Sequence, residues 1–170
     1  TRGRRAEVTA GARAQDRALA ALQDLRRVLG PDVLQLGPAL ELGRHGKDYA
    51  MQASAAAAPL AIARPGDADQ VAQILRCCNA HQIPVVPQGG MTGLAGGAVP
   101  MVPALLLSLE RMRAIEQIDA AAGTMTVQAG VTLAEVQAAA DAAGLFFPLD
   151  LGGRSAQIGA HSLPERPSGT

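Results

Sequence analysis

The residues with the most chemical content in this 170-residue chain run from Pro87 to Gly97 as Pro-Gln-Gly-Gly-Met-Thr-Gly-Leu-Ala-Gly-Gly. Glycine permits positive φ and close approach of the backbone to a ligand. Successive N–H groups in such a stretch converge on one anion as a concave nest, and a diphosphate is its natural guest. Thr92 adds a hydroxyl that could point into the same hollow. Two familiar phosphate loops are excluded. A dinucleotide fingerprint needs glycines two residues apart, and a P-loop needs Gly-Lys-Ser/Thr. No two glycines here have that spacing, and no lysine lies between 48 and 170. On spacing alone, a plain flexible loop remains as good a reading as a phosphate cradle.

Few other residues compete for a chemical role. His45 and His81 read as surface residues, and His161 lies in a tail where a catalytic role is not expected. Asp150 reads as a residue holding backbone geometry rather than as a general base. Arg64 reads as facing water rather than pairing with a carboxylate, and Met112 and Met125 read as core. Cys77 and Cys78 are adjacent, so they neither bridge each other readily nor offer zinc spacing. They read as reduced thiols, partly core, in a cytosolic protein. No paired carboxylates or metal-ligand cluster stands out.

The elements that must position the glycine segment follow from periodicity. Residues 13–29 carry Leu19, Leu22, Leu25, Val28 and Leu29 at helical spacing, closed by Gly30-Pro31. Residues 31–56 read as an irregular lead-in. A short apolar strand at 60–63 precedes a helix over 68–81, capped by Asp67 or Asp69, with Val71, Ile74, Leu75 and Cys78 as its buried stripe. A strand at 83–86 leads into the glycine segment, and strand, helix and strand in that order predict parallel pairing. A buried strand is predicted at 105–109 and an antiparallel hairpin at 114–119 and 124–128. Thr132 and Glu135 form a capping-box pattern opening a helix to about 143, closed by Gly144. The fold class is α+β, with two small lobes on either side of the glycine loop.

Composition narrows the function classes. Formal net charge is zero and aromatics are limited to Tyr49, Phe146 and Phe147. Residues 1–30 hold seven arginines against three acids, a surplus that reads as a solvated helix face. Nucleic-acid binding would want interleaved aromatics or a stripe of base-reading side chains, and no nucleic-acid partner is expected. The uncharged stretch 82–109 is broken by four prolines and five glycines, so no transmembrane segment is expected there. The first residue is Thr1, which reads as a fragment.

Residues 59–159 resemble the FAD-binding domain of the vanillyl-alcohol-oxidase (PCMH-type) flavoprotein superfamily, in its D-lactate, glycolate and D-2-hydroxyglutarate dehydrogenase branch. The matching pieces occur in order. They are Ala63-Arg-Pro65 before the helix; Ile83-Pro-Val-Val-Pro-Gln-Gly-Gly with the glycines to Gly97; Leu107-Ser-Leu-Glu-Arg-Met112; Thr126-Val-Gln-Ala-Gly-Val131; and Phe147-Pro-Leu-Asp-Leu-Gly152 with Ser155-Ala-Gln-Ile-Gly159.

The resemblance implies a PCMH-type FAD-binding fold and assigns site residues. Backbone amides of Gln88, Gly89, Gly90, Met91, Thr92 and Gly93 would wrap the FAD pyrophosphate, with Leu94 beneath, Pro87 fixing the way in and Gly97 the way out. Pro148, Asp150, Leu151, Gly152, Ser155, Ile158 and Gly159 would pass along the ribityl chain and pyrophosphate. Gly130 and Val131 would lie in the cofactor-side loop. Met91 stands where some relatives attach the flavin through histidine, so FAD is expected to be non-covalent. Catalytic residues are expected in a C-terminal lobe that this sequence does not contain. After Gly159 the family pattern gives way to Ala160-His-Ser-Leu-Pro-Glu-Arg-Pro-Ser-Gly-Thr170, as a reading-frame error or truncated gene would produce, and the lead-in at 41–52 is only loosely family-like.

The expected organisation is a helix and lead-in over 1–56, an incomplete FAD-binding domain over 57–159 and a divergent tail over 160–170. The expected function is the FAD-binding portion of an oxidoreductase that moves hydride from a 2-hydroxy acid to FAD. A quinone, a cytochrome or another flavoprotein would accept the electrons, and the location would be cytoplasmic or peripheral to the inner membrane. The alternatives are a truncated or pseudogene product, a cofactor-binding subunit without activity of its own, or a soluble domain with no cofactor.

Overall fold

The computed structural model describes residues 2–36, 57–93, 96–149 and 157–158, with side chains in the first helix from residue 15 onward. The elements in order are α1 (Arg2–Leu29), β1 (Leu34–Leu36), β2 (Ala61–Ala63), α2 (Ala68–Ala80), β3 (Val85–Gln88), β4 (Leu105–Ser108), β5 (Ile115–Asp119), β6 (Thr124–Val127) and α3 (Leu133–Ala142). The mixture is α+β, as the sequence predicts.

The first lobe is a four-stranded sheet in the order β1-β2-β4-β3. β2 and β3 both run parallel to β4, which lies between them, with Ala61 opposite Leu105 and Val85 opposite Leu105 on its other side. The predicted parallel strands are therefore parallel but not neighbours. β1 pairs antiparallel with β2, so residues 34–36 form an edge strand inside the stretch expected to be irregular. Strand β3 begins at Val85 rather than at Ile83. Ile83 instead donates its N–H to Cys78 O (2.8 Å) after Gln82 has turned the chain at φ 54°.

Helices α1 and α2 cover one face of this sheet. Ala18, Leu22, Ile74 and Cys78 pack with Leu34, Leu36, Ala61, Ala63, Leu105 and Leu107 in one core. Alanines at 18, 61 and 63 let helix and strand approach closely, which is how a chain with so few aromatics fills a core. Two residues of the predicted stripes lie outside it: Val28 is 74% exposed and Leu75 43%. Helix α1 ends where Gly30 adopts φ +88° and returns its N–H to Arg26 O at 2.8 Å. Of the two candidate caps for α2, Asp67 is the one used, accepting from Gln70 N at 2.8 Å.

The second lobe is the β5–β6 hairpin with α3. Asp119 Oδ1 accepts from Ala121 N and Ala122 N in the turn, which Gly123 closes at φ +64°. The capping box is present in full: Thr132 Oγ1 accepts from Glu135 N, and Thr132 N donates to Glu135 Oε2 at 2.7 Å. Residues 157–158 lie alongside, with Ile158 N donating to Val131 O at 2.8 Å and Thr132 bridging to Gln157.

Candidate cofactor site

The three parallel strands β2, β4 and β3 end at one edge of the sheet, and their next residues gather there: Arg64, Leu109-Glu110 and Gly89-Gly90. Open α/β sheets hold ligands beyond the carboxyl ends of their strands, so the glycine segment emerges in the right place.

Its start is fixed from inside. Gln88 is 1% exposed, and its Nε2 donates to Ala98 O at 2.8 Å. One side chain thus ties the two ends of the loop together. Gln88 O also accepts from Leu109 N at 3.2 Å. Beyond Gln88 the chain leaves β geometry, and Met91 sits at φ 57°, a conformation uncommon for a residue with a side chain. Gly96, at φ +76°, accepts from Val99 N at 3.0 Å and turns the chain back.

The donor set fits a phosphate group. Among the described residues, no main-chain or side-chain acceptor takes the N–H groups of Gly89, Gly90, Met91, Thr92 or Gly93. Gly89, Gly90 and Met91 are half-buried and Thr92 and Gly93 exposed, so these donors are open to solvent or to an anion. Among the described residues, a Cβ added at Gly93 would meet no atom within 4 Å beyond its chain neighbours, and the same holds at Gly97. The cradle is open on that side.

The remaining sequence-assigned residues are distributed as follows. Pro87 is exposed at the last turn of β3 and Thr92 is exposed in the loop; Pro148 is exposed beyond α3, next to Leu149, whose carbonyl accepts from Gln137 Nε2 at 2.8 Å. Val131 is fully buried and holds Ile158 by its carbonyl. Gly130 faces residues 109–112: a Cβ there would fall 2.2 Å from Leu109 O and 2.7 Å from Met112 O. Its N–H donates to Met112 O at 2.8 Å. Leu94, Asp150, Leu151, Gly152, Ser155 and Gly159 lie outside the described residues, as do His45 and His161.

Arg64 corrects the sequence reading. It does not face water but pairs with Glu110, Nε to Oε1 at 2.8 Å, with the two side chains 19% and 24% exposed. Arg111 Nη1 donates to Asp32 O (3.2 Å) and Arg64 O (3.3 Å), and Arg113 pairs with Glu135. Ser108, opposite Gln88 in register, is fully buried with an unpartnered Oγ. None of these contacts has a local signature; the partners are separated by 22 to 79 residues.

Two groups show shifted acidity. Glu135 is held below the usual carboxylate value, first by the Thr132 N–H and then by Arg113 and the Thr132 hydroxyl, against an opposing effect of burial. Cys78 is pushed up to about 11 by burial and then by the neighbouring Cys77. Burial, followed by the negative charge of Asp24, also raises Cys77. Both thiols sit away from the glycine loop, against α1 and the core.

An α+β domain with a glycine-rich loop beyond the carboxyl ends of its parallel strands has the layout of a domain that binds a phosphate-bearing cofactor. The chain belongs to the FAD-binding domain family, whose pattern matches residues 59–163, and FAD is its cofactor. It is 42% identical over 122 residues to the D-2-hydroxyglutarate dehydrogenase of Xanthomonas citri pv. viticola, covering 71% of this chain and 25% of that protein. It is 38% identical over 92 residues to a glycolate oxidase subunit of Bacillus subtilis, covering 54% and 20%. Among solved structures, p-cresol methylhydroxylase with substrate bound superimposes with a TM-score of 0.64 at 28% identity, covering 74% of this chain and 25% of that one. The chain thus spans a fifth to a quarter of the length of these relatives. What the chain shares with these relatives is the FAD-binding domain.

Proposed function

We propose that this chain is the FAD-binding portion of an enzyme that oxidises a 2-hydroxy acid of the D-2-hydroxyglutarate, D-lactate or glycolate kind. The observation that carries the reading is the run of unclaimed amides from Gly89 to Gly93 at the end of β3. These donors hold the diphosphate by main-chain hydrogen bonds, and Gln88 keeps the two ends of their loop at a fixed separation. Bound FAD supplies a two-electron hydride acceptor. The substrate's α-hydrogen leaves as hydride, its hydroxyl proton passes to a base, and a 2-oxo acid results. We assign that base to no residue among 1–170. Met91, with its thioether, offers no covalent attachment, so the cofactor is held non-covalently. We take residues 57–159 as the extent of the cofactor-binding unit.

The electrons pass on to a quinone, a cytochrome or another flavoprotein. No helix among the described residues is long and apolar enough to cross a membrane, which is compatible with the cytoplasmic or peripheral location we favour.

The test is anaerobic. The native polypeptide carrying this sequence is reconstituted with FAD and mixed with each of the three acids. Bleaching of the visible flavin band by one of them supports the proposal. Uptake of FAD with no bleaching by any would refute the substrate class, and failure to acquire flavin absorbance would refute the cofactor assignment.

A further inference from the structure

Residues 109–113 touch five other parts of the molecule within five positions. Leu109 N binds Gln88 O at the start of the glycine loop, and the carbonyls of Leu109 and Met112 enclose Gly130. Glu110 pairs with Arg64 at the end of β2, Arg111 reaches back to Asp32 O and Arg64 O, and Arg113 meets Glu135 at the cap of α3. This short turn is the joint through which the first lobe, the glycine loop and the second lobe share one set of positions. The pair with the least exposure in that joint is Arg64–Glu110. An ion pair so little exposed is costly to break from one side, because the remaining charge is left desolvated. It also fixes geometry: Arg64 follows β2 directly, and Arg111 binds the carbonyl of Arg64 itself.

We infer that Arg64 and Glu110 are positioning residues for FAD, holding the 109–113 turn so that the glycine loop and the second lobe face each other at the separation the cofactor needs. The inference rests on the cofactor placement proposed above. Neither side chain has to touch FAD. Their effect passes through Leu109 to Gln88 on one side and through Gly130 to residues 131–132 on the other.

The experiment separates positioning from stability. The native polypeptide is compared with Glu110→Gln and with the double variant Arg64→Met/Glu110→Leu, which replaces the pair by apolar side chains. FAD affinity is measured by titration, flavin environment by visible circular dichroism, and melting of the flavin-free protein by thermal unfolding. Glu110→Gln is expected to weaken FAD by about tenfold or more, corresponding to roughly 1.4 kcal/mol. In the double variant the melting temperature is expected to recover towards that of the native protein while FAD stays at least about tenfold weaker and its dichroism remains altered. Native affinity and dichroism in either folded variant overturn the inference. A native polypeptide that takes up no FAD would instead refute the cofactor placement.

Discussion

Replacing Gly130 by alanine should damage this domain more than the same change at Gly66, Gly93 or Gly97. The added carbon would sit 2.2 Å from Leu109 O, 2.7 Å from Met112 O and 3.2 Å from the carbonyl carbon of Glu110. Ordinary carbon–oxygen contacts run at about 3.3–3.6 Å, so the two main chains must separate by roughly 1 Å. All three obstructing atoms belong to the backbone, so no side chain can rotate away. Overpacking of this kind costs about 1–3 kcal/mol. The movement also lengthens the Gly130 N to Met112 O bond of 2.8 Å, whose loss adds about 0.5–1.5 kcal/mol. For a chain of this size, each kcal/mol lowers the melting temperature by about 2–4 °C, so a fall of roughly 3–18 °C is expected on these figures. The assay is thermal unfolding of the flavin-free protein followed by far-ultraviolet dichroism. Gly97→Ala is the control, since a Cβ there meets nothing within 4 Å, and it should melt within about 2 °C of the native protein. If Gly130→Ala also melts within that margin, the 109–112 turn is not the rigid seat argued for.

Four further outcomes follow from the same geometry. Gly93→Val should leave the melting temperature of the flavin-free protein nearly unchanged, because its side chain enters open space, yet weaken FAD at least about tenfold; equal FAD affinity in a titration would show that the loop does not cradle the cofactor. Ser108→Ala removes a buried hydroxyl that lacks a partner, so denaturant unfolding should show stability unchanged or raised by up to about 1–3 kcal/mol, and a clear loss would reveal a bond this account omits. Cys78 should resist alkylation in the folded state at pH 8, where the raised value of about 11 keeps it a thiol; the stability gained from its neutral form is complete below the unfolded-state value and disappears as pH rises through about 11, and rapid labelling of the folded protein would contradict this. The depressed value of Glu135 works in the opposite sense: its contribution is complete above its ordinary value of 4.5 and is lost as pH falls through the lower folded value, so Glu135→Gln should flatten the acid limb of a stability profile, and an unaltered limb would remove the capping box from the account.

What the sequence determined by itself is local. The caps of α2 and α3 and the hairpin depend on contacts within a few residues, and they were legible from Asp67 or Asp69, from Thr132 with Glu135, and from the alternating segments 114–119 and 124–128. The order of the matching segments was enough to identify the cofactor family without coordinates. Only the tertiary structure decided how those pieces meet. It placed β4 between β2 and β3, made a strand of residues 34–36 by offering them the free edge of β2, and drew Arg64 away from water to Glu110. It also gave Gly130 a reason to be glycine that no turn requirement supplies, since that reason is the backbone of residues 109–112 lying against it. A three-residue strand carries too little periodicity to announce itself, and an ion pair across 46 residues leaves no pattern in either neighbourhood. Such features exist only once the chain has closed on itself, because their energy comes from partners that the local sequence does not name.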